Sequence, residues 1–297
     1  MIKNTMHFHR STRTRDEIRL RRTVRVALPL HAAGGSSNGH NARPAPAGFA
    51  LFYEFDAVCK GKPDPETGYL TSIKDIDNAF ERAAMPVLRD AFERDRRAEH
   101  PTAPQRVLKA MFTALADRLD APLVELTWRT TPNQSMTTTR PETDSENQTT
   151  PAPDTADAVL LRERFEFAAA HRLCVPERDQ DENRSIFGKC ANPHYHGHNY
   201  VLETCVRVPA SVLDQRPMIQ SDLAARTDES VINTLDHANL NIDVPAFDQE
   251  QGGRIPSVEN IVRFCHETLA PRVEELGCEL VHATVWETER TSARYPA

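Results

Sequence analysis

Cys190-Ala191-Asn192-Pro193-His194-Tyr195-His196-Gly197-His198-Asn199-Tyr200 places one thiol and three imidazoles within nine residues and then runs into a β-strand, Tyr200 to Val208. Side chains two residues apart on a strand share a face, so His196 and His198 project side by side. Gly197 between them leaves the opposite face clear for a close backbone approach. Two neutral imidazoles on one face form a chelate for a borderline metal such as zinc, which takes nitrogen and sulfur ligands tetrahedrally. The competing reading is a histidine-rich surface loop.

Working upstream, Leu161-Arg-Glu-Arg-Phe165-Glu-Phe167-Ala-Ala169-Ala-His171 alternates apolar and polar residues in its first part, the pattern of a half-buried strand. Phe165, Phe167, Ala169 and His171 then share the inward face. A histidine closing an apolar face is usually a satisfied core residue, but a nearby His-x-His strand makes it a third zinc ligand. Three protein ligands leave a coordination position open, as catalytic zinc requires. Cys190 as a fourth ligand would instead close the site and make it structural.

The 297 residues exceed a typical single domain, so two domains are expected. Composition is that of a soluble globular protein, 39% hydrophobic and 27% charged, with no apolar run of membrane-spanning length. A net charge of −7 argues against nucleic acid as a partner. Arginines crowd the first 25 residues without the apolar stretch of a secretory signal. The six cysteines include no Cys-x-x-Cys pair, which fits a reducing cytoplasm and no disulfide framework.

Composition divides the chain into a basic N-terminal tail (1–20), a first domain (21–131), a polar Thr/Pro-rich linker (132–157) expected to be disordered, and a second domain (158–297). The two domains read as distant copies. In the first, Ala50–Val58 is a strand, Asp64–Gly68 a turn, and Ser72 caps a helix with an apolar face of Ile73, Ile76, Phe80 and Val87. In the second, Ser221 caps a helix in which Leu223, Thr227, Val231 and Leu235 recur every four residues. Each copy has a second helix and ends in a strand bearing a tryptophan, Trp128 or Trp286. This order gives an α+β fold, with helices on one face of an antiparallel sheet. The copies differ where chemistry would sit: Asn38-Gly-His40 stands against His196-Gly-His198, and Arg129 against Glu287. The first copy is therefore read as non-catalytic.

Two further groups in the second copy carry chemistry. Asp236-His237 offers a carboxylate that orients an imidazole for proton transfer, although a helix C-terminus would also favour a histidine. Glu287 puts a carboxylate on the apolar face of Ala283 and Val285, which is costly unless it is paired. The two parallel N–H donors of an amino-pyrimidinone edge would satisfy it, as would Arg or Lys.

Taken together, Phe167-Ala-Ala-Ala-His171-Arg-Leu, Phe187-Gly-Lys-Cys190 through Tyr200, Leu235-Asp236-His237-x-Asn239-Leu240, Pro256-Ser257-x-Glu259-Asn260 and Glu287-Thr288 make the second copy resemble the 6-pyruvoyl-tetrahydropterin synthase and 6-carboxy-tetrahydropterin synthase family. The resemblance implies two tandem T-folds, each a four-stranded antiparallel sheet with two helices on one face, that assemble into homo-oligomeric rings. It implies Zn2+ held by His171, His196 and His198, with catalysis by Cys190, Asp236 and His237, the last two reached from a neighbouring unit. Glu287, Ser257 and Glu259 fall at substrate-binding positions, and His194 is a bystander. The implied lyase acts on 7,8-dihydroneopterin triphosphate and yields 6-pyruvoyl- or 6-carboxy-tetrahydropterin, for tetrahydrobiopterin or queuosine synthesis. The alternative is a non-catalytic zinc- or pterin-binding assembly module.

Overall fold

The computed structural model describes residues 16–29, 42–43, 49–97, 102–140 and 158–297. Eight strands form one sheet in chain order, with a ninth off its path. The first four are β1 (Ile18–Pro29), β2 (Ala50–Gly61), β3 (Leu123–Thr131) and β4 (Gln134–Thr139). The second half supplies β5 (Val159–His171), β6 (His196–Val208), β7 (Ala238–Asn239), β8 (Glu279–Thr288) and β9 (Thr291–Tyr295). The order is β1-β2-β3-β4-β5-β6-β8-β9, all antiparallel, and β7 lies parallel to β5. The fold is α+β, as the strand and helix patterns indicate.

The linker expected from composition is partly a strand. Gln134–Thr139 pairs with β3 on one side and β5 on the other, so the two halves share one continuous sheet. The segment has little apolar surface, but Thr137 and Thr138 are β-branched and fit a pleated surface. Met136 enters the core, and the Thr137 and Thr127 hydroxyls bond at 2.9 Å. The expected basic tail also ends earlier, because Ile18 to Leu20 already belong to β1. Its first 15 residues, and 141–157 of the linker, lie outside the described residues.

Helices cover one face. In the first half α1 (Ile73–Ala79) passes through one wide π-type turn (Phe80–Ala84) into α2 (Met85–Asp95), followed by α3 (Pro104–Ala116). Ser72 caps α1 as the sequence indicates, accepting from the Lys74 amide at 3.2 Å. In the second half, α4 (Gln180–Phe187) follows β5, and α5 (Ile219–Thr227) enters the same kind of wide turn at Asp228–Ile232. Ser221 lies inside α5 and does not cap it; Met218 holds the capping position. The predicted stripe Leu223, Thr227, Val231 and Leu235 is buried throughout, and Thr227 donates its hydroxyl to the Leu223 carbonyl. The long α6 (Val258–Glu274) buries Val258, Ile261, Val262, Cys265 and Leu269 against β8 and β9.

Ladder irregularities recur at comparable places in the two halves. A bulge shifts β2–β3 pairing at Val58/Cys59, and one shifts β6–β8 at Cys205/Val206. A second pair falls at Arg129/Thr131 and Trp286/Thr288. Counting from these, Phe55 and Trp128 match Leu202 and Val285, and Tyr53 matches Tyr200. His198 then answers to Leu51, His196 to Phe49, and Glu287 to Thr130. One expected correspondence therefore changes. Arg129 is not the counterpart of Glu287; it lies on the opposite sheet face, with its guanidinium 2.6 Å from Asp56. The Asn38-Gly-His40 stretch lies outside the described residues, and the ladder aligns Phe49-Ala50-Leu51 with His196-Gly197-His198. The two tryptophans are offset by one residue and so face opposite ways.

Candidate active site

Register makes the histidine cluster. In the β5–β6 ladder His171 lies opposite His196 and Ala169 opposite His198, so three imidazoles meet on the helix-bearing face at one end of the sheet. Their ring centroids lie 4.5 to 5.2 Å apart. His171 is wholly buried. Its Nδ1 donates to the Pro256 carbonyl at 2.8 Å, just before α6, and the Tyr200 hydroxyl lies 3.4 Å away. That bond fixes the tautomer and leaves the Nε2 lone pair pointing into the cluster.

There it faces the Nε2 of His196 at 3.0 Å. One ligand atom from each of His171, His196 and His198 falls within 4.8 Å of the others. His196 Nδ1 and His198 Nε2 are buried without a hydrogen-bond partner; a cation bound in the cluster would relieve His198 Nε2. Burial, opposed by the bond to the Pro256 carbonyl and helped by the neighbouring imidazoles, lowers the His171 pKa to about 4. His196 is lowered for the same first reason and by His198, with Glu287 opposing. His171 and His196 are thus favoured in the neutral form, the one in which imidazole ligates metal. The residues fit a divalent cation with three nitrogen ligands and one open side.

Glu287 reaches that cluster. Its Oε1 lies 3.5 Å from His171 Nε2 and 3.7 Å from His198 Nε2. As expected, it shares the inward face with Val285, which pairs with Leu202. Cys190 lies in the short helical turn Gly188–Ala191 that follows α4. Burial first, and then the Glu287 charge, push its thiol pKa up. His194 is exposed.

Asp236 and His237 form a pair of their own. The Asp236 carboxylate accepts from the Ala168 amide at 2.8 Å and from His237 Nδ1 at 2.8 Å, and both lower its pKa, the amide most. His237 adopts a left-handed backbone (φ 59°), with its amide donating to the Ala168 carbonyl at 2.5 Å. Such backbone strain is seen where surroundings over-determine it, often at functional sites. The ring is 83% exposed at the edge of β5. It borders an open cleft of about 590 Å³ with Ala168–Ala170, Gly197–Asn199 and Asp243. Among the described residues, no hydrogen bond, ion pair or ring contact joins His237 to Cys190, Glu287 or the triad.

Ser257 adjoins Pro256 at the start of α6 and is half-buried, with its hydroxyl not used to cap the helix. Glu259 is exposed and lines a separate groove with Arg263, Arg294 and Tyr295, so the chain does not bring it to the triad. Sequence patterning assigned no role to Tyr200, although that residue closes the quoted motif. Nor did it point to Asn241, whose side-chain amide brackets the main chain of Arg172: Oδ1 accepts from N–H at 2.8 Å and Nδ2 donates to the carbonyl at 3.0 Å. Main-chain partners such as these leave no compositional trace.

A helix-backed antiparallel sheet with three convergent histidines, a nearby thiol and a carboxylate defines a candidate metal-dependent enzyme site. The family model for 6-pyruvoyl tetrahydropterin synthase matches residues 160–297. The 6-pyruvoyl tetrahydrobiopterin synthase of Dictyostelium discoideum is 34% identical over 139 residues, covering 46% of this chain and 95% of that protein. The human enzyme of the same name is 33% identical over 132 residues, 44% of this chain and 87% of its own. Among solved structures, 6-pyruvoyl tetrahydropterin synthase of Caenorhabditis elegans is 30% identical over 46% of this chain and 94% of its own, with a TM-score of 0.41. The chain belongs to the 6-pyruvoyl tetrahydropterin synthase family and, with it, to the lyases.

Proposed function

We propose that the second half of this chain is a zinc-dependent synthase that converts 7,8-dihydroneopterin triphosphate to 6-pyruvoyl-tetrahydropterin. The observation that carries this reading is the triad: three imidazoles, one with its tautomer fixed, converging on one point near Glu287, whose charge acts on Cys190. His171, His196 and His198 would hold Zn2+, which supplies Lewis acidity toward the hydroxyl oxygens of the substrate side chain. Glu287 pairs with the two N–H donors of the pterin's amino-pyrimidinone edge and so orients the ring over the triad. Cys190 takes and returns protons between ring and side chain. Ser257, beside Pro256, offers a hydroxyl to the same substrate, whereas Glu259, in a separate groove, would meet substrate only at the site of another unit. Five residues lie between Cys190 and His196, and the similar proteins are named for the pyruvoyl product; both favour that product over the carboxy one.

We also read the chain as two tandem T-folds, the first extending to β4 and non-catalytic. The matched bulges and the matched wide helical turns support this. Asp236 and His237, being remote from Cys190 by contact, would serve the site of another unit. Among the described residues strands β1 and β9 end the sheet, β1 carrying one short bridge from Arg43 to Val26, and such edges favour association of copies edge to edge. The six cysteines are free, which fits a reducing cytoplasm; among the described residues no helix is long and apolar enough to cross a membrane. The test is incubation of zinc-loaded protein with dihydroneopterin triphosphate and product identification by mass. Release of neither triphosphate nor acetaldehyde would refute the synthase reading, and a 6-carboxy product would overturn the branch.

A further inference from the structure

Arg172 follows His171, the last residue of β5. It serves three segments at once. Its main chain is bracketed by the Asn241 amide, which belongs to the same strap as Asp236 and His237. Its Nε donates to the Ala191 carbonyl at 3.3 Å, and another guanidinium nitrogen donates to Gln180 Oε1 at 2.8 Å. Gln180 in turn donates to the same Ala191 carbonyl at 3.0 Å. The next amide along the chain, that of Leu173, donates to the Cys190 carbonyl at 2.9 Å.

The two carbonyls that fix the thiol-bearing turn, those of Cys190 and Ala191, are thus both held by residues 172–173 and Gln180. That turn begins at Gly188 with a positive φ of 58° that favours glycine, and it has only four residues, so it has few internal bonds of its own. We infer that Arg172 is a positioning residue that clamps the Gly188–Ala191 turn, through Ala191 and Gln180, and so sets where the Cys190 thiol stands relative to Glu287 and the histidine triad. A planar guanidinium suits this role because it makes two divergent bonds from one rigid group, which a lysine cannot reproduce.

The inference rests on the reading of Cys190 as the proton-transferring group, and the experiment separates the two. Zinc-loaded full-length protein is prepared as Arg172→Met, Arg172→Lys, Gln180→Leu, Cys190→Ala and the Arg172→Met/Cys190→Ala double variant. Arg172→Met should keep its zinc and lower kcat about tenfold or more with KM little changed, as displacement of a reacting group by about 1 Å does. Arg172→Lys should recover part of the loss, and Gln180→Leu should show a smaller loss of the same kind. In the double variant the Arg172 change should cost nothing beyond Cys190→Ala, because it acts through the thiol. In metal-free Cys174→Ser protein, Arg172→Met and Gln180→Leu should both change the rate at which iodoacetamide labels Cys190, read by peptide mass. Unchanged kcat and labelling in both single variants would overturn the clamp while Cys190→Ala is inactive. A full additional loss in the double variant would overturn it as well. Full activity of Cys190→Ala would instead sink the reading of Cys190 itself.

Discussion

The same strand order, the same bulges and the same wide helical turn occur twice in this molecule, yet the two halves fill the equivalent space differently. In the first half Phe55, Trp128, Tyr53 and Phe80 occupy the helix-bearing face, with ring centroids 5.0 to 5.3 Å apart. In the second, Leu202 and Val285 replace the stacked pair, and the strand ends beyond Tyr200 carry His198, His196 and His171. The helix differs too. Eight residues after the wide turn begins, the first half continues through buried Leu88, whereas the second breaks at Asp236 and sends a strap across β5. An aromatic cluster gains stability from burial and stacking. A cluster of imidazoles with unpartnered nitrogens gives stability up in return for a place to bind a cation. The lesson is that one scaffold tolerates both, because the sheet and its helices are set by residues outside the exchanged positions.

The contrast is sharpest at the ligands. His198→Ala should abolish zinc retention and reduce turnover to background, with the loss read by metal analysis alongside the product assay. The reciprocal change, Phe49→His with Leu51→His in the first half, should add no second equivalent of zinc, since among the described residues no counterpart of His171 or Glu287 stands there. A second tightly bound zinc would break the comparison. Next in size, Cys190→Ala should retain zinc and lose about 10² to 10⁴ in kcat, the usual contribution of a positioned proton-transfer group. Loss of zinc in that variant would make Cys190 a ligand and the site structural.

Trp128→Ala should destabilise the chain by about 3–5 kcal/mol through cavity formation, measured by urea unfolding, while leaving zinc stoichiometry unchanged. A coincident loss of metal would show that the halves are not chemically separate. The smallest effect is that of pH on the metal-free chain. Folded His171 titrates near 4 and an unfolded histidine near 6.5. The unfolded chain therefore binds the proton first. Stability is intact above about pH 6.5 and declines by up to about 3 kcal/mol as the pH falls through 4. A flat unfolding free energy across that interval would mean that the ring is not buried as described.

Alternation and motif spacing made β5, the His-x-His strand and the stripe of α5 legible in the sequence, because side-chain period follows directly from backbone geometry. The strand Gln134–Thr139 was not legible. Its composition matches that of a linker, and its pairing depends on edges supplied by β3 and β5, far apart in sequence. Alignment of the halves by motif failed for a related reason. Matching Trp128 to Trp286 assumes that identical residues hold identical positions, but a one-residue offset reverses the face, and only the hydrogen-bond ladder reveals it. The placement of Asp236–His237 on the β5 edge was likewise hidden, since it depends on the Ala168 amide and carbonyl.

What the sequence determined by itself is the chemistry available: which side chains can ligate, move protons or pair with a pterin edge, and which of them share a strand face. Those follow from residue type and from a two-residue period. Tertiary structure decided which of these groups meet. It joined His171 to His196 through strand register, fixed the His171 tautomer through the Pro256 carbonyl and brought Glu287 over the triad. It also kept His237 apart on an exposed edge. The physical reason is that such meetings depend on long-range ladder register and main-chain hydrogen bonds, whose partners carry no signature in local sequence.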